Sequence, residues 1–244
     1  MTPLFELRGV SAGYGPFRAL FDVSIEVGAG EAVALLGPNG AGKTSVARVA
    51  TGLVAPTAGS VYVDGVDMTA QAPHRFARAG VSHATEGRSV FATLTVEENL
   101  ALSFRRSRGR AGVHAALDEA FDLFPALLAR RHQMAGTLSG GEQRMLSIAR
   151  VLVESPKLLV ADELSLGLAP IILDEVYANL ARLRTNGTSL LIVEQHIGHA
   201  LALCDRAVLL EHGAVAWAGP VAAATDRLVA AAFEHRPRAT PLDS

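Results

Sequence analysis

Residues 37–44 read GPNGAGKT and match the G-x-x-x-x-G-K-[ST] pattern of a phosphate-binding loop. The apolar run 31–36 before the loop suits a strand covered on both faces, and a helix is expected over about 43–50. Glycines let consecutive backbone N–H groups turn toward phosphate oxygens, and the N-terminus of the following helix adds partial positive charge. We expect Lys43 to reach the β- and γ-phosphates of a nucleotide and the Thr44 hydroxyl to bind Mg²⁺. The expected nucleotide-binding residues of the loop are Gly37, Pro38, Asn39, Gly40, Ala41, Gly42, Lys43, Thr44 and Ser45.

A second apolar stretch, 158–161, leads directly into two carboxylates, Asp162 and Glu163. Open α/β sheets bind ligands at the carboxyl ends of their strands, so both side chains are expected beside the loop. We expect Asp162 to help hold Mg²⁺ and Glu163 to polarise an attacking water as a general base. Without Lys43 and Thr44, the same pair would suit an ordinary strand end followed by a helix cap.

The pattern of strands and helices predicts an α/β protein with parallel βαβ units. The expected strands are 4–10, 23–27, 31–36, 60–66, 80–83, 157–161, 189–193, 207–210 and 215–217. The expected helices are 43–50, 113–124, 139–153, 171–183 and 197–203. The segment 60–66 suggests an edge strand with Asp64-Gly65 as its turn, and His212-Gly213 separates the last two strands.

Residues 87–155 are interpreted as a mostly helical insertion. Thr95 with Glu98, and Ser139 with Glu142, form capping-box patterns that predict two helix starts. The basic, glycine-containing stretch 105–110 is interpreted as a linker between helices.

Charge, cysteine content and hydropathy exclude several classes of function. The formal net charge of −2 gives no general attraction for nucleic acid. A single cysteine, Cys204, cannot form an internal disulfide, so we expect a reducing compartment and a buried, structural thiol. We find neither an apolar run long enough to span a bilayer nor a secretory signal, so any membrane association is expected to go through another protein.

Ser139-Gly140-Gly141 offers a second anion site, with a hydroxyl and bare backbone N–H groups at a helix start. Taken alone, the pattern favours a simple helix cap. A second phosphate-binding element is useful if two copies face each other head to tail, each closing on the nucleotide of the other.

With these motifs in order from Tyr14 to His196, the chain resembles an ABC transporter nucleotide-binding domain. Leu138-Ser139-Gly140-Gly141-Glu142-Gln143 matches the family signature, so Ser139, Gly140, Gly141, Glu142 and Gln143 are expected to act on the partner's ATP. The resemblance also implies that Tyr14 stacks on adenine. It further implies that His196 contacts the γ-phosphate and that Glu86 takes the place of a Mg²⁺-contacting glutamine.

Several departures and matches point to a subgroup of the family. Glu86 replaces the usual glutamine, and Ala169 replaces the aspartate usual in the next family loop. Glu-Gly-Arg at 86–88, Ser-Leu-Gly-Leu-Ala-Pro at 165–170 and Val-Glu-Gln at 193–195 resemble the ATPases of branched-chain amino acid importers. Many members of that subgroup have asparagine where this chain has His196.

The resemblance implies a RecA-like P-loop NTPase core (1–86 and 156–234) with an N-terminal antiparallel β subdomain. It also implies an inserted α-helical signature subdomain (87–155) and a frayed tail (235–244). The implied cofactors are ATP and Mg²⁺. The implied partners are two transmembrane permease subunits, a second ABC ATPase subunit in a homo- or heterodimer, and indirectly an extracytoplasmic substrate-binding protein. The implied location is the cytoplasmic face of the inner membrane, with 86–99 as the docking surface.

Two alternative functions remain open from the sequence, and a third lacks the features that it predicts. Related importers of urea or short amides share much of the subgroup pattern. A soluble ABC ATPase of iron–sulfur assembly is compatible with one ATPase unit, whereas translation-type members fuse two and repair-type members insert a long coiled coil. An unrelated P-loop kinase or GTPase predicts an acceptor site or an Asn-Lys-x-Asp motif, and neither is found.

Overall fold

The computed structural model describes residues 2–84, 90–165, 167–194 and 197–223. Its strands are β1 (Phe5–Tyr14), β2 (Phe17–Val27), β3 (Ala32–Leu36), β4 (Ala58–Val63), β5 (Val66–Asp67), β6 (Val81–Ala84), β7 (Leu158–Asp162), β8 (Ser189–Val193), β9 (Arg206–Glu211) and β10 (Ala214–Pro220). Its α-helices are α1 (Lys43–Ala50), α2 (Pro73–Arg78), α3 (Val96–Ser107), α4 (Gly109–Leu123), α5 (Pro125–Leu128), α6 (Gly140–Val153), α7 (Pro170–Thr185) and α8 (Ile197–Leu203). These elements confirm the predicted α/β class.

The first part of the chain forms a four-stranded antiparallel sheet in the order β2-β1-β4-β5. This sheet confirms the expected antiparallel β region at the N-terminus. The turn predicted at Asp64-Gly65 is confirmed, because both residues have positive φ and the chain returns as β5. The edge position predicted for 60–66 is wrong. β4 therefore lies between β1 and β5, and the two residues of β5 form the edge.

The second sheet has six strands in the order β10-β9-β3-β8-β7-β6. All neighbouring pairs are parallel except β9 with β10, which confirms the predicted βαβ units. The central strand β3 pairs with β8 on one side and β9 on the other. The carboxyl ends of β3, β7 and β8 therefore meet at one edge of the sheet, where α/β folds place their ligands.

Side chains of β3 alternate between two apolar cores on opposite faces of this sheet. Ala32, Ala34 and Leu36 pack toward α3, α4, α6 and α7. Val33 and Leu35 pack toward α1 and the antiparallel sheet. The period of two residues is the ordinary geometry of a strand, and coverage on both faces explains why residues 32–36 are all apolar.

Helices α3 to α6 follow one another along the chain between β6 and β7. Both predicted capping boxes are present, at Thr95 before α3 and at Ser139 before α6. The predicted linker at 105–110 is wrong, because α3 continues to Ser107 and α4 begins at Gly109. Arginine is a good helix former, and the φ of +68° at Gly109 supplies the change of direction that a linker was expected to provide.

Two further features bear on the sequence predictions. Cys204 is buried just after α8, as expected, and burial raises the pKa of its thiol to about 12. Along the described ranges, no helix combines the length and apolarity that crossing a bilayer requires. The predicted tail, 235–244, lies outside the described residues, and the division into subdomains stays a prediction.

Candidate functional site

The loop 37–42 joins the carboxyl end of β3 to the start of α1, as the sequence predicted. Close backbone contacts leave no room for a side chain at two of its glycines. A Cβ on Gly37 would lie 2.2 Å from the backbone oxygen of Leu210, and one on Gly42 would lie 2.9 Å from that of Ala19. Both glycines also have positive φ, of +150° and +103°. The loop is therefore held between β9 and the antiparallel sheet in a shape that a larger residue cannot adopt without strain.

Lys43 is the first residue of α1, and only 4% of its surface is exposed. Its Nζ donates hydrogen bonds to the backbone oxygens of Gly37 at 2.8 Å and Pro38 at 3.1 Å. Burial lowers the pKa of this ammonium, and the charges of Glu163, Asp162 and Glu194 oppose that shift. The ammonium is thus held over the loop, beside several carboxylates, where a phosphate would bind.

A cleft of about 400 Å³ opens beside this loop. It collects Asn39, Gly40, Gly42, Lys43, Thr44 and Ser45 from the loop and α1, together with Glu163 from the end of β7. Most of the residues proposed to bind and hydrolyse a nucleotide therefore meet at one place. Gly37, Pro38 and Ala41 do not line the cleft, and the Ala41 side chain is buried in the core.

The opposite rim of the cleft consists of residues that the sequence analysis missed: Arg18, Ala19, Phe21, His212 and Gly213. Backbone hydrogen bonds fix this rim. The Phe21 N–H donates to the Gly213 oxygen at 2.8 Å, and the Gly213 N–H donates to the Ala41 oxygen at 2.9 Å. The turn at 212–213 was predicted as a turn, but no sequence signal places it against the phosphate loop.

Asp162 ends β7, and its side chain is 2% exposed. Glu163 follows with a φ of +49°, which is uncommon for a residue other than glycine, asparagine or aspartate. The Glu163 N–H donates to the Val193 oxygen at 2.9 Å. On the other side, the buried guanidinium of Arg144 donates to the backbone oxygen of Glu163 and, at 3.2 Å, to that of Leu164. These contacts hold Glu163 in its strained conformation at the cleft.

Mg²⁺ in proteins prefers oxygen ligands, and it usually combines one or two carboxylates with phosphates and water. No group of three or more His, Cys, Asp or Glu side chains in the described ranges could hold a metal by itself. The Thr44 hydroxyl and the Asp162 carboxylate supply such a partial oxygen set. Asp162, Glu163 and Glu194 all act on the pKa of Lys43, so several carboxylates lie near its ammonium. The residues present therefore fit Mg²⁺ bound together with a nucleotide.

Tyr14, at the end of β1, lies beside α1 and does not line the cleft as described. Its hydroxyl lies 3.4 Å from Ser45 Oγ and accepts a hydrogen bond from Arg48 at 3.2 Å. Its side chain is 41% exposed, and Ser45 is a cleft residue. Stacking of Tyr14 on adenine stays a prediction.

The signature residues lie at the start of α6, and none of them lines the described cleft. Ser139 and Gly140 are exposed. Glu142 accepts a hydrogen bond from the Ser139 N–H at 2.8 Å, which lowers the pKa of its carboxyl, and it pairs with Arg130 at 2.7 Å. The Gln143 amide donates to the Leu138 oxygen at 3.1 Å. The structure thus presents a capped, exposed helix N-terminus at the surface.

Three predicted features remain to be placed. Glu86 and His196 lie outside the described residues. Ala169, which replaces the family's usual aspartate, is exposed and is the residue before α7, where its side chain makes no capping hydrogen bond.

Comparison with known proteins gives consistent results. A family model described as "ABC transporter" matches residues 20–165. The chain is 44% identical over 207 residues to the high-affinity branched-chain amino acid transport ATP-binding protein BraG of Pseudomonas aeruginosa, covering 84% of this chain and 88% of BraG. It is 36% identical to the probable branched-chain amino acid transport ATP-binding protein LivF of Archaeoglobus fulgidus, covering 86% and 89%. A solved structure described as the ATP-binding subunit of an ABC transporter superposes with a TM-score of 0.85 at 26% identity, covering 94% of this chain and 99% of that one.

Proposed function

This chain belongs to the ABC transporter ATP-binding family, and from that premise we propose that it energises the import of branched-chain amino acids. The chain is an ATPase, and ATP is its nucleotide. The observation that carries the cargo assignment is the 44% identity to a branched-chain amino acid transport ATP-binding protein over most of both chains. The chemistry rests on the cleft that brings together Lys43, Thr44 and Glu163.

Each side chain at the cleft has a distinct role in this proposal. The loop amides and the Lys43 ammonium bind the β- and γ-phosphates and stabilise the charge that develops as the terminal phosphate leaves. Thr44 and Asp162 would hold Mg²⁺, which supplies further charge neutralisation when bound. Glu163 orients a water molecule for attack on the γ-phosphorus and accepts its proton, so that the products are ADP and inorganic phosphate.

Two copies of the ATPase are needed for one complete site in this proposal. The exposed start of α6 carries Ser139 and two glycines whose N–H groups suit an anion, yet it does not line the chain's own described cleft. The positive end of this helix would bind the γ-phosphate held by a partner ATPase, which is either a second copy or a related subunit. Nucleotide binding would then close the dimer, and hydrolysis would open it.

The other proposed partners are two transmembrane permease subunits and, through them, an extracytoplasmic substrate-binding protein. The ATPase would lie peripherally on the cytoplasmic face of the inner membrane. In the described part of the proposed docking segment, the Phe91 side chain is 50% exposed and would be available to contact a permease subunit. The buried amide of Asn99 bonds to both the N–H and the oxygen of Phe91, at 2.8 and 3.0 Å, and fixes that residue.

The test is transport by a reconstituted complex. The chain is co-expressed with candidate permease subunits and a candidate substrate-binding protein, and the purified complex is placed in liposomes. We expect ATP-dependent uptake of radiolabelled leucine, and Lys43→Ala should abolish uptake while Lys157→Ala leaves it intact. Uptake of urea or a short amide in place of leucine would overturn the cargo assignment. Failure to co-purify with any membrane subunit would favour the soluble ATPase class.

A further inference from the structure

Glu194 is a carboxylate with no exposed surface, and the described cleft residues do not include it. It lies one residue beyond β8, and its backbone N–H donates to the Leu35 oxygen at 3.2 Å. Its two carboxylate oxygens both accept hydrogen bonds from Ser165, one from the backbone N–H at 3.0 Å and one from the hydroxyl at 2.7 Å.

A buried carboxylate is costly unless it is well paired. The ion pairs of the described residues do not include Glu194. Hydrogen bonds to Ser165 take the place of a salt bridge, and hydrogen bonds to an ionised acceptor are stronger than neutral ones. The charge of Glu194 also acts on the pKa of Lys43. On α7, the pKa of the buried Tyr177 phenol is raised mainly by burial and secondly by the charge of Glu194. Tyr177 thus stays a protonated neighbour of the carboxylate.

The Ser165 contact lies two residues after Glu163, whose left-handed backbone needs external support. The end of β8 supplies that support twice: the Val193 oxygen accepts from the Glu163 N–H, and the Glu194 carboxylate holds Ser165. Both ends of the short turn 163–165 are therefore hydrogen-bonded to the carboxyl end of β8. A shift of this turn would move the Glu163 carboxylate relative to the cleft.

We propose that Glu194 is a positioning residue for ATP hydrolysis, which acts through Ser165 to fix the turn that carries Glu163. The proposal rests on the hydrolytic role given to Glu163 above. Glu194 itself transfers no proton and touches no phosphate. Its side chain sets where the water-polarising carboxylate lies, so its loss should affect turnover far more than nucleotide binding.

The test separates binding from turnover in the full-length chain. ATP affinity is measured with a fluorescent nucleotide in the absence of Mg²⁺, and kcat is measured by phosphate release in its presence. Glu194→Ala should lower kcat by about 10- to 100-fold, the cost of a misplaced catalytic group, while changing ATP affinity less than about 3-fold. Glu194→Gln should recover most of kcat, because an amide can accept from the Ser165 N–H and donate to its hydroxyl oxygen.

Ser165→Ala removes one of the two hydrogen bonds and gives a second, milder variant if Glu194→Ala does not fold. It should lower kcat partially and should cause no additional loss when combined with Glu194→Ala, since both changes break the same contact. Unchanged kcat in Glu194→Ala, or a Glu194→Gln variant as slow as Glu194→Ala, would overturn the proposal. A wild-type chain without ATPase activity would overturn the proposed function instead, so the two failures are distinguishable.

Discussion

The guanidinium of Arg144 donates hydrogen bonds to the backbone oxygens of Glu163 and Leu164. Arg144 lies in the second turn of α6, and its side chain is 7% exposed. The exposed Ser139 caps the start of the same helix, so one element joins the proposed anion site to the support of the proposed general base. A movement of α6 on contact with a partner's nucleotide would therefore change the position of Glu163.

Replacement of Arg144 by alanine leaves the carbonyl groups of Glu163 and Leu164 without these donors and frees the turn after β7. We expect kcat to fall by about 10-fold or more, while nucleotide affinity changes little. Phosphate release and fluorescent-nucleotide titration measure the two quantities. Arg106→Ala, at an exposed position on α3, is the matched control and should keep wild-type turnover. Equal losses in both variants would contradict the assigned contact.

Lys43 and Lys157 are the only lysines in the chain, which provides an internal control. Lys43→Ala should weaken ATP binding by about 10- to 100-fold, because it removes charged hydrogen bonds to phosphate. Lys157 is exposed and pairs with Asp64 at 2.8 Å, and such a surface pair contributes little. Lys157→Ala should therefore bind ATP as the wild type does, as measured by isothermal titration. Wild-type affinity in Lys43→Ala would rule out the phosphate role of Lys43.

Burial lowers the pKa of Lys43, so this ammonium loses its proton at a lower pH than an ordinary lysine, whose pKa is about 10.4. Only the protonated form attracts phosphate. ATP affinity should therefore be full on the acidic side of the lowered pKa and should fall as pH rises through it. Titrations between about pH 7 and 10 check this, with Lys43→Arg as the comparison, since a guanidinium stays charged across that range. The same alkaline loss in Lys43→Arg would show that another group titrates.

Glu163→Gln keeps the size of the side chain but removes the base. Turnover should fall by at least about 100-fold, the usual contribution of general-base catalysis, while ATP binding is retained. An ATP-bound dimer should accumulate, and size-exclusion chromatography would detect it as an earlier-eluting species. Glu119→Gln, at an exposed site on α4, should hydrolyse ATP normally. Hydrolysis at the wild-type rate by Glu163→Gln would refute the base assignment.

Ser139→Arg places a bulky cation at the exposed start of α6 while leaving the cleft of the same chain intact. Monomeric chains should still bind ATP, but hydrolysis should stop because the partner's phosphate can no longer reach the helix N-terminus. The measurement is ATPase rate against protein concentration, which should rise steeply in the wild type and stay flat in the variant. Activity that is independent of concentration in the wild type would refute the shared site.

The features predicted from sequence were those encoded by neighbouring residues. The bounds of α1 and α8 and the capping boxes at Thr95 and Ser139 follow from local patterns, and the structure has them. The error at 105–110 arose because Gly109 was taken as part of a linker, although a single glycine can join two helices directly.

Long-range contacts were not predictable in this way. The rim residues Arg18, Phe21 and His212 come from hairpins far apart in the chain, and no motif marks them. The contacts of Arg144 and Glu194 with the turn after β7 likewise depend on packing between distant elements. Sequence patterns identified the groups that do chemistry, whereas the groups that hold them in place became visible only in three dimensions.

The pairing of β3 has a consequence for synthesis of the chain. Both of its neighbours, β8 and β9, are made more than 150 residues later, and the Gly213 N–H that braces Ala41 comes later still. Contacts of such large sequence separation form slowly, because the entropy cost of closing the loop comes first. The glycine-rich loop of a chain emerging from the ribosome is therefore synthesised long before it can bind a nucleotide. ATP can stabilise the fold only once translation has passed Gly213.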